Sequence, residues 1–299
     1  MCPHIQKPGP SRHQSGSVSL TFQRIPLDNR HIRKGTIAFV PRFILHFSSI
    51  MAASKTHSYR SINYATLTDD QIVALTKPDG KLNYFNCVVC PFAQRALWAA
   101  LEVQAPIDTV IELNVFNLPP SYSQLVNRYG NVPHLIHDGT HVYDSALIVN
   151  YLDVTFGRGK LGRRDTPKLA ALTDLLTLKT SYVPLYNYLS HQNETDAPVR
   201  ALLSELETIY RDHAKAHRAN GPFLLGANVS TGDINLIPWL FRFEILLAHY
   251  KAYTLLPEKD FPLLKAALEA AKALPTFQQT VKDSSIYIQA YSVVANQAS

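Results

Sequence analysis

Cysteine is scarce in this sequence, which has only Cys2, Cys87 and Cys90 among 299 residues. So few cysteines exclude the disulfide framework of a small secreted protein. They fit a reducing compartment, in which thiols carry chemistry instead of cross-links. Long apolar runs are also missing. No stretch of 18 or more apolar residues is present, so neither a membrane-spanning helix nor a membrane partner is expected.

Acidic residues are nearly absent from residues 1–55, where Asp28 stands against eight lysines and arginines. That segment carries +7, so the rest of the chain carries −1 of the total +6. Binding to nucleic acid requires a basic stripe on a folded domain, so no nucleic-acid partner is expected. We predict that residues 1–55 form a basic, disordered extension.

Three interpretations of this extension stay open. It is a presequence for a mitochondrion or plastid, since such segments are basic and poor in acids. Alternatively, it lies upstream of a natural start at Met51 and has no function, or it is a regulatory tail. Without a presequence, a cytoplasmic location is expected.

Strand and helix patterns alternate from about residue 78 onward. The predicted order is βαβαββα, which indicates a mixed four-stranded sheet covered by helices, the thioredoxin-like layout, over residues 78–157. The predicted strands are 81–86, 108–113, 132–136 and 141–143, and the predicted helices are 91–101, 121–129 and 144–156.

A glycine- and charge-rich linker, residues 157–165, separates this region from a second one with helical periodicity only. Ser230 and Asp233 have the spacing of a capping box and predict the start of a long apolar helix. The predicted fold class is therefore α/β followed by all-α, with an all-helical domain over residues 165–299.

The sharpest chemical signal is Cys87-Val88-Val89-Cys90-Pro91. Proline favours the first position of a helix, which makes Cys90 the expected N-cap. Unpaired amides and the positive end of the helix dipole meet there and stabilise an anion. We therefore expect the pKa of the Cys90 thiol to fall from about 8.5 towards 7 or below, and Cys90 to be the nucleophile.

Cys87 has two interpretations, a resolving or regulatory thiol and an ordinary small apolar residue. No set of ligands beside the two cysteines suits a structural zinc, so no metal is expected.

Two further segments suggest a binding groove. Pro133, after Val132, opens a strand and is either a cis proline, which turns the Val132 backbone towards Cys90, or a plain strand start. Asp144 and Ser145 fall at a helix start, where they are either a simple N-cap or a site for a carboxylate and an ammonium group.

With these segments in order, the chain resembles the cysteine-type soluble glutathione transferases of the omega and lambda classes. The resemblance covers about residues 78–283 and is carried by six segments, namely CPFAQR (90–95), NVPHL (131–135), YDSALIVNYLD (143–153), GPFLLG (221–226), STGDINLIPWLFRFEIL (230–246) and LPTFQQT (274–280).

The resemblance implies that glutathione is the co-substrate and that Cys90 forms a mixed disulfide with it. It implies that Val132, before a cis Pro133, pairs with the cysteinyl backbone, and that Asp144 and Ser145 hold the γ-glutamyl end. Phe92 would back the cysteine loop. Trp239 would line the acceptor pocket, with core packing as the other interpretation. Dimers are common in that family, so a homodimer is one expected assembly.

Three departures from the family pattern bear on function, and one of them is Cys87, which is an addition to that pattern. Leu118 stands before Pro119, where family members commonly carry a basic residue near the glycyl carboxylate. Tyr84, in a strand that is similar to that of tyrosine-type transferases, offers a different activator.

The leading hypothesis is a glutathione-dependent thioltransferase or reductase acting on small disulfides or oxidised acceptors such as dehydroascorbate. The alternatives are conjugation of glutathione to electrophiles with Tyr84 as activator, and a non-catalytic binding protein of the same fold.

Overall fold

The computed structural model describes residues 59–191, 194–218 and 220–295, so the predictions for residues 1–55, including a start at Met51, lie outside the described residues. The described residues fall within one compact unit of the chain. They form a sheet layer followed by helices. Among them, no helix is both long enough and apolar enough to cross a lipid bilayer.

The sheet has five strands in the order β1-β3-β2-β4-β5. β3 pairs in parallel with β1 and β2, whereas β4 pairs antiparallel with β2 and β5. The strands are β1 (Arg60–Asn63), β2 (Leu82–Asn86), β3 (Thr109–Glu112), β4 (His134–His137) and β5 (Thr140–Tyr143).

The predicted four-stranded sheet is wrong by one strand, because β1 lies before residue 78 at the sheet edge. Three of its four residues are exposed, so the sequence lacks the alternating apolar pattern of a half-buried strand. The thioredoxin-like arrangement of the other four strands is confirmed.

Within the described residues, four α-helices belong to the sheet layer and eight follow it. The first four are α1 (Asp69–Ala74), α2 (Pro91–Glu102), α3 (Pro120–Leu125) and α4 (Ser145–Thr155). The others are α5 (Pro167–Lys179), α6 (Val183–Ser190), α7 (Ala197–Thr208), α8 (Lys215–Arg218), α9 (Thr231–Lys251), α10 (Pro262–Ala273), α11 (Pro275–Gln278) and α12 (Ser284–Ala295). The predicted all-helical second part is confirmed.

The two faces of the sheet pack into different cores because successive strand residues point in opposite directions. Tyr84 of β2 lies in the large core shared with the later helices, and the next residue, Phe85, lies in a smaller core under α1 and α3. Helix α9 is central to the large core and packs against α2, α5, α10 and α12. The start of α2 therefore lies where the sheet layer meets the later helices.

Candidate functional site

Helix α2 begins as the sequence predicts, with Cys90 at the N-cap and Pro91 at the first helical position. No side chain caps this terminus. The Cys90 amide donates to the Cys87 carbonyl at 3.0 Å, and the Cys90 carbonyl accepts from the Gln94 amide at 2.9 Å. The half-buried Cys90 side chain thus lies at the positive end of the helix dipole.

The expected fall in the pKa of the Cys90 thiol is wrong for this structure. Burial raises that pKa to about 11, while the backbone amides of Ala93 and Phe92 act in the opposite direction. The thiol packs against the large core, where an anion loses its hydration. The helix terminus alone does not lower the pKa of this thiol, because burial of the sulfur has the larger effect. The sequence pattern could not predict this burial.

Cys87 differs from Cys90 in exposure. Only 3% of Cys87 is exposed, and burial raises the pKa of its thiol. Both cysteines are free thiols. Cys90 is therefore the more exposed of the two thiols, and Cys87 is part of the large core.

The Val132–Pro133 peptide bond is cis, so the cis alternative is confirmed. Phe85 of β2 stands opposite His134 of β4 in the antiparallel register. Continued by two residues, this register sets half-buried Val132 alongside Cys87, at the start of the loop that leads to Cys90. The strand register therefore brings this backbone to the cysteine loop.

Asp144 and Ser145 lie where β5 passes into α4. Asp144 is the N-cap, with a positive φ of 65°, and its carboxylate accepts from the Ala146 amide at 2.8 Å. Its side chain is exposed, whereas Ser145 is buried. The exposed carboxylate has a free oxygen with which to meet an ammonium group. The N-cap interpretation of Asp144 is confirmed, and a ligand-binding role for the pair stays a prediction.

Arg95 joins these parts, and sequence reasoning gave it no role. Its Nε and Nη2 donate to the Ser145 hydroxyl at 2.9 and 2.5 Å, and its Nη1 donates to Asn235 of α9 at 2.6 Å. Burial lowers the pKa of Arg95, and the neighbouring Asp144 carboxylate opposes that shift. Arg95 therefore fixes the start of α4 relative to the helix that carries Cys90. Its place in CPFAQR, five residues after Cys90, was the signal in the sequence.

Aromatic residues cover one side of the Cys90 loop. Phe92 packs edge-on against Trp239, with ring centroids 4.7 Å apart, and Tyr182 stacks on Trp239 at 4.9 Å. Trp239 is only 4% exposed, which supports its core-packing interpretation, while Tyr182 is 39% exposed. Tyr182, which the sequence did not single out, is the ring of this cluster that a second reactant would meet.

The interpretation of Tyr84 as activator is wrong. Tyr84 is fully buried, and its hydroxyl donates to the Ala93 carbonyl at 2.7 Å. Burial raises its pKa well above the ordinary value. The phenol therefore ties β2 to α2 and has no surface through which to reach a second thiol.

Leu118 is half-buried and contacts the smaller core, so it contributes packing at the position where the family pattern has a basic residue.

Two other kinds of site could lie in the rest of the described chain, a metal site and a ligand cavity. In the described part of the chain, no three histidine, cysteine or acidic side chains are grouped to hold a metal ion. A cavity of about 920 Å³ lies against the 157–165 linker, lined by Arg158, Lys160 and Arg163 among others. None of its lining residues is a cysteine.

Comparison with known proteins agrees with this geometry. Residues 85–160 match the glutathione S-transferase N-terminal domain, and residues 189–280 match the glutathione S-transferase C-terminal domain. The chain belongs to the glutathione S-transferase family. Within this family it is 29% identical to glutathione S-transferase DHAR2 of Arabidopsis thaliana over 69% of this chain and 91% of that protein.

Two further relatives of this glutathione S-transferase extend the comparison. It is 28% identical to glutathione S-transferase omega-1 of Sus scrofa over 56% of this chain and 70% of that protein. The crystal structure of Chlamydomonas reinhardtii dehydroascorbate reductase superposes with a TM-score of 0.55 at 22% identity, over 72% of this chain and 98% of that one. The resemblance to cysteine-type transferases is thereby confirmed.

Proposed function

We propose that this glutathione S-transferase is a thioltransferase and reductase in which Cys90 is the nucleophile and glutathione the co-substrate. The observation that carries the proposal is the pairing of a half-buried Cys90 at an uncapped helix start with a fully buried Tyr84. Only the thiol has a surface from which to attack. Relatives named dehydroascorbate reductase and omega-class transferase support the same choice.

The reaction proceeds in two thiol exchanges. The Cys90 thiolate attacks the glutathionyl sulfur of a mixed disulfide, forms a Cys90–glutathione disulfide, and releases the acceptor thiolate, which takes up a proton. A second glutathione thiolate then attacks the glutathionyl sulfur of that disulfide. This exchange frees Cys90 and releases glutathione disulfide. Each step breaks one S–S bond and forms another.

Reduction of an acceptor such as dehydroascorbate uses the same intermediate. Cys90 and one glutathione together give up two electrons and two protons to the acceptor and become the mixed disulfide. The second glutathione restores Cys90 as before. Deglutathionylation and dehydroascorbate reduction thus share one intermediate, the Cys90–glutathione disulfide.

We assign the glutathione groove to Phe92, Val132, Pro133, Asp144 and Ser145. Val132 continues the β2–β4 register beside the cysteine loop, which suits backbone pairing with an extended peptide. The exposed Asp144 carboxylate suits the ammonium end of the tripeptide. Cys87, three residues away and buried, keeps its two interpretations, a resolving thiol and an apolar core residue, and the two exchanges above need only Cys90. A reducing compartment, the cytoplasm in the first instance, suits two free thiols in this spacing.

The test is a deglutathionylation assay with glutathionylated peptide and dehydroascorbate as separate acceptors. Cys90→Ser should lose both activities, and Cys87→Ser, the matched control from the same loop, should keep turnover of the peptide. Full activity in Cys90→Ser would show that the nucleophile lies elsewhere.

A non-catalytic binding role is the second candidate, and the raised pKa of Cys90, at about 11, favours it. In that case the protein should bind glutathione without covalent exchange, and Cys90 should form no mixed disulfide when the protein is incubated with glutathione disulfide. A glutathionyl adduct on Cys90 that fresh glutathione removes would exclude this candidate.

A further inference from the structure

Arg242, on helix α9, is a fully buried arginine close to the Cys90 loop. Its Nη2 donates to Gln94 Oε1 at 3.1 Å, and its guanidinium lies 3.4 Å from the ring centroid of Tyr287. Nε and Nη1 have no hydrogen-bond partner among the described residues. A guanidinium has five N–H donors, so most of the hydrogen-bonding capacity of this buried cation is unused.

A buried cation without a paired anion is expensive, because it loses its hydration and gains too little in return. Within the described residues, Arg242 forms no ion pair with a carboxylate, and its one hydrogen-bond acceptor is the neutral Gln94 amide. Gln94 lies one helical turn after Cys90, whose carbonyl accepts from the Gln94 amide at 2.9 Å. The guanidinium is therefore held against the first turn of α2, the turn that Cys90 caps.

The ionisable groups around the Cys90 sulfur come from four elements and the loop. They are Tyr84 of β2, Cys87 of the loop, Arg95 of α2, Arg242 of α9 and Tyr291 of α12. Burial raises the pKa of both tyrosines, so they are neutral at pH 7. Arg95 is already engaged by Ser145 and Asn235. Arg242 is thus the cation whose donors remain unpaired.

We propose that Arg242 is the counter-charge of the Cys90 thiolate, supplied by the helical domain to a nucleophile on the thioredoxin-like domain. When Cys90 loses its proton, the thiolate becomes the anion that pairs with the buried guanidinium. The positive charge of the guanidinium in turn offsets the loss of hydration at the sulfur. Arg242 acts as a positioning residue, through its charge and not through contact with a substrate. The inference deepens the proposed function and rests on it for its role in turnover.

The direction of the electrostatic influence on the thiol agrees with this assignment. The charge of Arg242 lowers the pKa of Cys90, against the larger effect of burial. An opposite charge close to an ionisable group shifts its pKa by about 1 to 3 units. Removal of the charge should therefore raise the pKa of Cys90 by about one unit or more.

The test is the rate at which iodoacetamide alkylates Cys90 in the full-length protein, followed by mass spectrometry of the Cys90 peptide from pH 7 to pH 9. A rise of about one unit in thiol pKa cuts the thiolate fraction about tenfold, and a gain in intrinsic nucleophilicity returns part of that loss. Arg242→Met should therefore slow alkylation about fourfold throughout this range. Arg242→Lys, which keeps the charge, should stay within about a factor of two of wild type.

Arg211→Met is the matched control, because Arg211 is an exposed arginine paired with the adjacent Asp212. It should alkylate as wild type does. A folded Arg242→Met protein with the wild-type rate would overturn the proposal, as would an equal slowing in Arg242→Lys. If Arg242→Met fails to fold, Gln94→Met replaces it, since it removes the acceptor that holds Nη2. Its rate should fall about twofold, and an unchanged rate would overturn the proposal.

Alkylation needs no glutathione, so the two proposals fail separately. In one outcome, Arg242→Met is alkylated more slowly but the wild-type protein turns over no acceptor. That result would support Arg242 as the counter-charge and refute the proposed function. In the other outcome, Arg242→Met is alkylated at the wild-type rate, and turnover by the wild-type protein depends on Cys90. That result would support the proposed function and refute Arg242 as the counter-charge.

Discussion

The first turns of helices α2 and α9 both contain backbone amides that have no partner inside the helix, and the two helices treat them in opposite ways. At α9, Ser230 and Asp233 form a complete capping box. The Asp233 carboxylate also accepts from the Leu224 amide at 3.0 Å and from the Tyr210 hydroxyl at 2.5 Å. At α2, the N-cap is Cys90, and no side chain accepts a hydrogen bond from the first turn.

The difference separates stability from reactivity. The α9 terminus is buried, and its polar groups satisfy one another, so it stabilises the fold and has nothing left for a ligand. The α2 terminus leaves its amides to a sulfur, the one side-chain atom there that reacts as a nucleophile. One substitution at each terminus therefore tests the comparison, with the free energy of unfolding and the turnover measured for both variants.

The largest expected contrast is between Asp233→Asn and Cys90→Ser. Asp233→Asn places an amide among donors that need an acceptor, so the free energy of unfolding should fall by roughly 3 kcal/mol. Cys90→Ser puts a favoured N-cap residue at α2 and should leave that free energy unchanged or raise it by up to about 1 kcal/mol. Urea denaturation measures both.

Activity should show the reverse order in the same two variants. Asp233→Asn should keep its turnover per folded molecule, and Cys90→Ser should fall to background. Loss of turnover in folded Asp233→Asn would contradict the claim that the α9 terminus serves only stability.

The pH dependence of Cys90 alkylation is the next contrast. With a thiol pKa of about 11, the thiolate fraction should rise about tenfold per pH unit from pH 7 to pH 10. In the unfolded chain the same thiol ionises near its ordinary pKa of about 8.5, so the folded state should lose stability as pH rises from there towards 11. A plateau in the alkylation rate below pH 9 would show that the thiol has an ordinary or lowered pKa.

Arg95 connects the open terminus to the groove, and its replacement should weaken glutathione binding. Arg95→Lys loses the forked contact with the Ser145 hydroxyl, so the KM for glutathione should rise about tenfold, with a smaller change in kcat. Asn235→Ala is the control because it removes the contact of Arg95 with α9, together with the Asn235 hydrogen bonds to Thr177 and Thr231 inside the helical domain, and leaves the Ser145 contact intact. An equal rise in KM in the control would assign the effect to domain packing instead.

The smallest expected effect is that of Tyr84→Phe. The substitution deletes the hydrogen bond to the Ala93 carbonyl and should cost about 1 kcal/mol of unfolding free energy. The kcat/KM for each acceptor should stay within about twofold of wild type. Abolished turnover in a folded variant would restore the tyrosine to the mechanism.

Local signals predicted the elements that local chemistry controls. The proline after Cys90 predicted the start of α2, and the Ser230–Asp233 spacing predicted the capping box of α9. The predicted strands 132–136 and 141–143 correspond to β4 and β5, which pair around Asp138 and Gly139, two residues with positive φ. Each depends on residues only a few positions apart.

Contacts between distant residues were beyond the same reasoning. Arg242 meets Gln94 across 148 residues of sequence, and the Tyr291 hydroxyl meets the Val89 carbonyl at 3.4 Å across 202 residues. These helices bury the cysteine loop and reverse the expected shift in the Cys90 pKa. The edge strand β1 was missed for a different reason, since its exposed residues carry no apolar pattern.

The central claim, that Cys90 carries the glutathionyl intermediate, is tested most directly by mass analysis of the purified protein after incubation with glutathione disulfide. The account predicts one added glutathionyl group, mapped to Cys90, absent in Cys90→Ser, and removed by fresh glutathione. An adduct that maps to another residue, or that persists unchanged in Cys90→Ser, would contradict it.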